Sequence, residues 1–291
     1  MKTPKRIEPL VEAGLVDEVI RPLMSGKEAE VFVVRCGTEL RCAKVYKEAN
    51  KRSFRQAAVY QEGNSRDARA MTKGTKYGRK GQEDSWQNAE VAALFHLAGA
   101  GVRVPKPYDF LEGVLLMELV TDEEGDAAPR LNDVDLHPED AREFHAFMIE
   151  EVVKMLCAGL VHGDLSEFNV LLGPEGPVII DLPQAVDAAG NNHAFKMLER
   201  DVGNMSAYFG QFAPELKYSK YAKEMWALYE EGKLTPASKL TGEFADPEED
   251  ADVDAVLNEI KAALADEARR QALLNAEDAP KGEEPPPPWM Q

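Results

Sequence analysis

The chain has 291 residues, 44% of them apolar and 30% charged, enough to bury the core of one large domain or two modest ones. Its 34 Lys and Arg face 52 Asp and Glu, and a net charge of −18 excludes a general nucleic-acid binder acting through its bulk field. The longest strictly apolar run near the middle, Val114 to Met117, excludes a transmembrane helix there, and the first residues carry no apolar stretch of a secretory signal.

In chain order, Met24-Ser25-Gly26-Lys27-Glu28-Ala29-Glu30-Val31 reads as a small glycine-containing turn entering a strand. Such a turn lets backbone N–H groups approach phosphate, although a plain turn explains it equally well. Residues 31–35 and 40–46 read as the two strands of a hairpin. Lys44 sits inside the second strand on the same face as Cys42, and a Lys in an apolar strand is costly unless paired. Glu90 is the candidate partner, and an unpaired edge-strand lysine is the alternative.

From Lys47 to Gln82 ten bases stand against three acids, a local +7 that leaves −25 for the rest of the chain. With Gly63, Gly74, Gly78 and Gly81 and no clean period, this reads as a basic insertion, either a solvated loop or a contact for RNA phosphates. Trp86 to Ala98 predicts a helix with Val91, Leu94, Phe95 and Ala98 on one face, Val114 to Val120 a buried strand, and Pro138 to Leu160 a helix ending near Gly159. A further helix spans Phe195 to Phe209. Glu243 to Asp254 holds seven acids and no base, and Val253 to Leu264 follows helical spacing before the terminal Glu-Glu-Pro-Pro-Pro-Pro. The three cysteines, Cys36, Cys42 and Cys157, form no zinc or disulfide spacing and read as reduced thiols in a cytoplasmic protein.

The densest signal is Leu160-Val161-His162-Gly163-Asp164-Leu165-Ser166-Glu167-Phe168-Asn169, followed by two apolar strands around a Gly/Pro turn and then Asp181. If the turn is centred on Glu175, Asn169 and Asp181 meet at the open end of the hairpin, with Asp164 on the loop leading in. Two hard oxygen ligands suit Mg²⁺ carrying nucleotide phosphates, and the third group suits a base or orienter for an attacking hydroxyl. The plain alternative is a hairpin whose polar ends meet only water.

From about Leu10 to about Thr241 these residues resemble the RIO family of atypical protein kinases, closest to its first subfamily. The resemblance rests on Ser25 to Ala29, Lys44, Glu90, Val114 to Val120, the His162-Gly163-Asp164 loop with Asn169, Asp181, Tyr221 to Trp226 and Lys239-Leu240-Thr241-Gly242. It implies an α+β, bilobal kinase-like fold with a small β-rich N-lobe, a mostly helical C-lobe and no activation segment. It divides the chain into an N-terminal extension over 1–20 packed on the N-lobe, an N-lobe over 21–117 with the insertion 47–82, a C-lobe over 118–242, and an acidic tether, helix and Pro-rich tail over 243–291.

By that resemblance Ser25, Gly26, Lys27, Glu28, Ala29, Val31, Cys42, Lys44, Glu90, Met117, Glu118, Val120, Asn169 and Asp181 contact ATP or support its binding. Met117 is the gatekeeper, and the Glu118 carbonyl and Val120 N–H read the adenine edge. Asn169 and Asp181 hold Mg²⁺, with Mn²⁺ as a substitute, and Asp164 and Asp181 are the catalytic pair. Transfer to Ser or Thr, autophosphorylation, ATPase activity through an Asp181 acyl phosphate, and a small-ribosomal-subunit precursor as partner are further implications. Two rivals stand beside the kinase: an ATP-driven ribosome-assembly switch with little turnover, and a small-molecule phosphotransferase. The latter usually carries a large acceptor-binding insertion, for which the stretch from Asp181 to Gly242 is short.

Overall fold

The computed structural model describes residues 3–26, 29–47 and 89–245. The expected insertion beyond Lys47, Lys27 and Glu28, residues 86–88 of the expected helix, and the C-terminal helix and tail lie outside these residues. The chain divides into two compact units, Met1–Glu243 and Phe244–Gln291, and the first carries the fold described here.

Residues 3–17 enter through a short helix, α1 (Glu8–Glu12), and lead into an antiparallel sheet. Its strands are β1 (Glu18–Ser25), β2 (Ala29–Cys36), β3 (Glu39–Tyr46), β4 (Pro107–Leu111) and β5 (Val114–Glu118), in the order β1-β2-β3-β5-β4. Pairing of Cys36 with Glu39 closes the β2–β3 hairpin over the two-residue turn Gly37-Thr38, with Gly37 at φ 63°. The sequence reading had no strands at β1 or β4. Both are edge strands; the register of β1 shifts on either side of Arg21-Pro22, and Pro107 opens β4. An edge tolerates a residue without an N–H, and the same proline hides the strand from an alternation test.

One face of the sheet is sealed from within the chain. Ile7, Leu10, Val16 and Val19 pack against Phe32, Val34, Ala43, Val45, Val114 and Leu116, with Ile7, Val34, Ala43 and Val114 wholly buried. At about 25 cal/mol per Å² of apolar surface, such side chains contribute roughly 1.5–3 kcal/mol each. The other face carries Cys42, Lys44 and Tyr46 and meets a helix over 89–99, α2. In α2, Val91, Leu94 and Leu97 face the core, whereas Phe95 is 41% exposed, so the expected apolar face is rotated away from Phe95.

The second lobe is helical. α3 (Pro138–Cys157) starts with Pro138 at its N-terminal position and stops before Gly159, whose φ of 81° only glycine adopts without strain. α4 (Ala194–Phe209) and α5 (Tyr221–Glu230) complete the core with Met148, Val152, Leu198, Met205, Phe209 and Met225. Between α3 and α4 lie two small two-stranded sheets. β6 (Leu160–Val161) pairs with β9 (Val186–Asp187), and β7 (Val170–Gly173) pairs with β8 (Gly176–Ile179). Residues 182–193 alone separate Asp181 from α4, too few for an activation segment.

The last residues of this unit are clasped onto α5. Glu224 accepts the N–H groups of Thr241 (2.9 Å) and Gly242 (2.8 Å), and the Lys220 N–H donates to the Gly242 carbonyl at 2.7 Å. Gly242 has φ 75°, and a Cβ there would meet the Tyr221 ring at 2.8 Å, so this close approach requires glycine.

Candidate functional site

Lys44 projects from β3 toward α2, where its ammonium is paired with the Glu90 carboxylate and lies 3.6 Å from Asp181. Glu90 is only 8% exposed. Burial alone would lower the Lys44 pKa, but Glu90 and then Asp181 outweigh it and hold the ammonium above its ordinary value. The costly strand lysine is therefore paired, and the edge-strand alternative is overturned.

The loop from His162 is fixed largely by main-chain hydrogen bonds. Asp201, on α4 and 1% exposed, accepts the N–H groups of Gly163 at 2.7 Å and Leu165 at 3.0 Å. Its neighbour Arg200 donates to the Gly163 carbonyl. Burial pushes the Asp201 carboxyl up to about 7, against the pull of the two N–H donors and Arg200. His162 is buried; its Nε2 bonds the Ile180 carbonyl at 3.1 Å and its Nδ1 accepts from the Asp164 N–H at 3.3 Å. These partners require a proton on Nε2 only, and burial lowers the ring's pKa in keeping with a neutral imidazole.

The β7–β8 hairpin turns on Pro174-Glu175, with Gly173 opposite Gly176. Its centre therefore falls between residues 174 and 175 instead of on Glu175, and Asn169 lies opposite Ile180, whose N–H donates to the Asn169 carbonyl at 2.9 Å. Asp181 lies one residue beyond that pair, in the left-handed region at φ 67°. This turn of the backbone returns its carboxylate to within 3.6 Å of Lys44 despite the shifted register. Asn169 Nδ2 donates to the Asp164 carbonyl at 2.9 Å, which leaves Oδ1 as its outward oxygen. The Asp164 carboxylate is exposed and accepts from Gln184 Nε2 at 3.2 Å.

The connection between β1 and β2 presents exposed Ser25 and Gly26. The Gly26 N–H is committed to the Ala29 carbonyl at 2.9 Å, which removes that N–H from the donors expected for phosphate. Lys47 Nζ donates to the Gly26 carbonyl at 2.8 Å. Ala29 is buried, Val31 half-buried, and Cys42 buried on the face of Lys44, where burial pushes its thiol up to about 12.

At the end of β5, Met117 packs against the larger core. The Glu118 N–H donates to the Lys106 carbonyl at 2.8 Å, and the Glu118 carboxylate clamps Arg103 through two 2.9 Å bonds. Burial opposes ionisation, but Arg103 and the Lys106 N–H hold the carboxyl below its usual range. Strand β5 ends at Glu118, two residues short of the expected Val120, whose carbonyl accepts from the Ala128 N–H at 3.0 Å and whose side chain packs on Val178. A cavity of about 660 Å³ lies away from this cleft and is lined by Phe95, Val102, Arg103, Phe147 and Glu151 among others.

A RIO domain family model matches residues 30–223. The chain belongs to the RIO domain family. It is 38% identical over 203 residues to the RIO-type serine/threonine-protein kinase Rio1 of Haloferax volcanii, covering 69% of this chain and 66% of that relative. It is 30% identical over 202 residues to the serine/threonine-protein kinase RIO1 of Homo sapiens, covering 69% of this chain but 34% of the relative. A RIO-type serine/threonine-protein kinase Rio2 of Methanocaldococcus jannaschii is 38% identical over 116 residues, covering 38% of this chain and 40% of the relative. The matched part of the chain thus spans less than two thirds of the length of these relatives. The RIO match takes in Lys44, Glu90, Asp164, Asn169 and Asp181. Asp201, His162, Gln184 and Lys47 are the site residues that sequence reasoning left unassigned. A buried Asp on a helix thirty-odd residues away leaves no local spacing to read, whereas His162, adjacent to the Gly163-Asp164 pair, was open to assignment.

Proposed function

We propose that the protein is a serine/threonine protein kinase that uses Mg·ATP. The observation that carries this reading is Lys44, paired with Glu90 and 3.6 Å from Asp181, opposite the Asn169 and Asp164 side chains. Lys44 neutralises charge on the α and β phosphates, and Glu90 keeps it aligned. The donor set fits a hard divalent ion: the outward Oδ1 of Asn169 and a carboxylate of Asp181 that is 49% exposed. Among the described residues no three His, Cys, Asp or Glu side chains cluster to hold an ion alone, which suits an ion whose remaining ligands are phosphate oxygens and water. Such an ion supplies charge neutralisation on the β and γ phosphates.

Asp164, held by Gln184, accepts the proton of a Ser or Thr hydroxyl as its oxygen bonds to the γ-phosphorus and ADP departs with the bridging oxygen. The stretch from Asp181 to Gly242 is short for an acceptor-binding insertion, which supports a macromolecular acceptor over the small-molecule reading. Autophosphorylation, ATPase turnover and action on a small-ribosomal-subunit precursor are the finer parts of the reading and rest on the family resemblance. Among the described residues no helix is long and apolar enough to cross a membrane.

The test is incubation of the full chain with labelled ATP and Mg²⁺, alone and with a generic Ser/Thr-bearing protein. Acid-stable label on Ser or Thr, lost in Lys44→Ala, supports the kinase. Label that hydroxylamine removes, or phosphate release without protein label, supports the switching ATPase. Unchanged rates in Lys44→Ala overturn the site.

A further inference from the structure

The turn between β1 and β2 is held from the side away from the cleft. Ser25 and Glu30 are the last paired residues of β1 and β2, and Glu30 also pairs with Val45 of β3. Directly opposed residues share a face of a sheet, so Ser25, Glu30 and Val45 lie on the face opposite to Lys44. That is the sealed face, where Val45 is buried against the N-terminal segment. Lys47 follows β3 directly and reaches back along this row. Its ammonium donates to the Gly26 carbonyl at 2.8 Å and lies 3.4 Å from both the Ser25 hydroxyl and the Glu30 carboxylate. The Ser25 hydroxyl is itself 3.4 Å from Glu30.

The Lys47 and Glu30 side chains are 38% and 43% exposed, and an ion pair so close to water adds little to the stability of a fold. What the contact fixes is direction. A peptide carbonyl is the negative end of its dipole, and one aimed at nucleotide phosphates would repel them. The bond to Lys47 turns the Gly26 carbonyl toward the sealed face, away from the side that Lys44 occupies. The strand leading into the turn does little to set this direction. The register of β1 shifts between Val19 and Arg21 and again between Pro22 and Met24, which interrupts its ladder just before the turn.

We propose that Lys47 is a positioning residue for the β1–β2 turn: from the face opposite to Lys44 its ammonium holds the Gly26 carbonyl out of the cleft, and so sets the turn for nucleotide phosphates. The inference rests on the kinase reading and deepens it. It gives the two strand lysines separate tasks, Lys44 on the phosphates and Lys47 on the backbone of the turn beside them.

Lys47→Met keeps most of the stem and removes the ammonium. In the full chain without nucleotide, its thermal midpoint should stay near native. The Gly26 amide, which is bonded to the Ala29 carbonyl, should exchange with solvent about fivefold faster, the scale of one exposed charged pair. In calorimetric titrations the affinity for Mg·ATP should fall by a similar factor, while the affinity for adenosine, which carries no phosphate, should stay native. The loss should persist at about 1 M salt, where the screening length is about 3 Å and a merely neighbouring charge no longer acts. Native Mg·ATP affinity in Lys47→Met overturns the proposal, and so does native exchange at Gly26. An equal loss for adenosine overturns it by marking a general disturbance of the lobe, and a loss that salt abolishes overturns it by marking charge alone. In each of these outcomes a native protein that binds Mg·ATP more tightly than adenosine leaves the kinase reading standing. A native protein that binds the two equally removes that reading, and this proposal with it.

Discussion

The two walls of the cleft are built in different ways. The C-lobe wall is set by main-chain hydrogen bonds: Asp201 holds Gly163 and Leu165, His162 holds Ile180, and Ile180 holds Asn169. The N-lobe wall depends on one side-chain pair, Lys44 with Glu90, joining a strand to a helix 46 residues away. Buried backbone bonds fix a loop as part of folding, because breaking them leaves orphaned groups. Lys44 and Glu90 are themselves buried, so removing either partner strands the charge of the other and costs the fold as well. Substitutions that touch the buried supports of either wall should therefore couple stability to activity, and those at exposed groups such as Asp164 should separate the two.

The largest expected effect breaks the chemistry on the C-lobe wall without touching its supports. Asp164→Ala removes an exposed carboxylate, so the thermal midpoint should stay near native while phosphate transfer falls about 10²-fold or more in a steady-state assay. The next tests the coupling itself. Asp201→Asn presents an NH₂ to one of two N–H donors, so it should lose about 1–3 kcal/mol in denaturant unfolding and lower turnover as well. Native stability in that variant would show that the loop does not lean on α4.

A smaller effect sharpens the positioning of Asp164. Gln184→Leu removes its single 3.2 Å side-chain bond, and kcat should fall by a few-fold, about 1 kcal/mol, with the ATP KM unchanged. The smallest lies away from the cleft. His145 is 1% exposed, bonds Ser206 Oγ at 3.1 Å, and burial lowers its pKa to about 4 from 6.5. The folded state then holds fewer protons than the unfolded chain between these values. Stability from this group is present above about 6.5 and is lost as pH falls toward about 4. Unfolding midpoints across that range should fall less steeply in His145→Gln than in the native protein.

The sequence exposed the parts of the molecule governed by local rules. The β2–β3 hairpin, α3, α4 and the β7–β8 hairpin follow from period and punctuation, and Lys44, Glu90, Asp164, Asn169 and Asp181 follow from spacing joined to a family resemblance. What it hid depends on tertiary context. The edge strands β1 and β4 carry prolines that only an edge accepts, and Phe95 turns outward because α2 docks through Leu97. The half-residue shift in the β7–β8 turn was hidden because Gly173 and Gly176 both allow a tighter turn than one centred on Glu175. Asp201 was hidden because its role is to two N–H groups of a distant loop, which leave no trace in residue type.

The central claim is that Lys44, Asn169 and Asp181 together form a site for ATP phosphates and a divalent ion. Calorimetric titration of the full chain with ATP, in the presence and absence of Mg²⁺, tests it most directly. The account predicts that Mg²⁺ tightens ATP binding to the native protein by at least about tenfold, roughly 1.4 kcal/mol, and that Asp181→Asn loses this increment. Equal ATP affinity with and without Mg²⁺ in the native protein, or an Asp181→Asn variant that keeps the full increment, would contradict it.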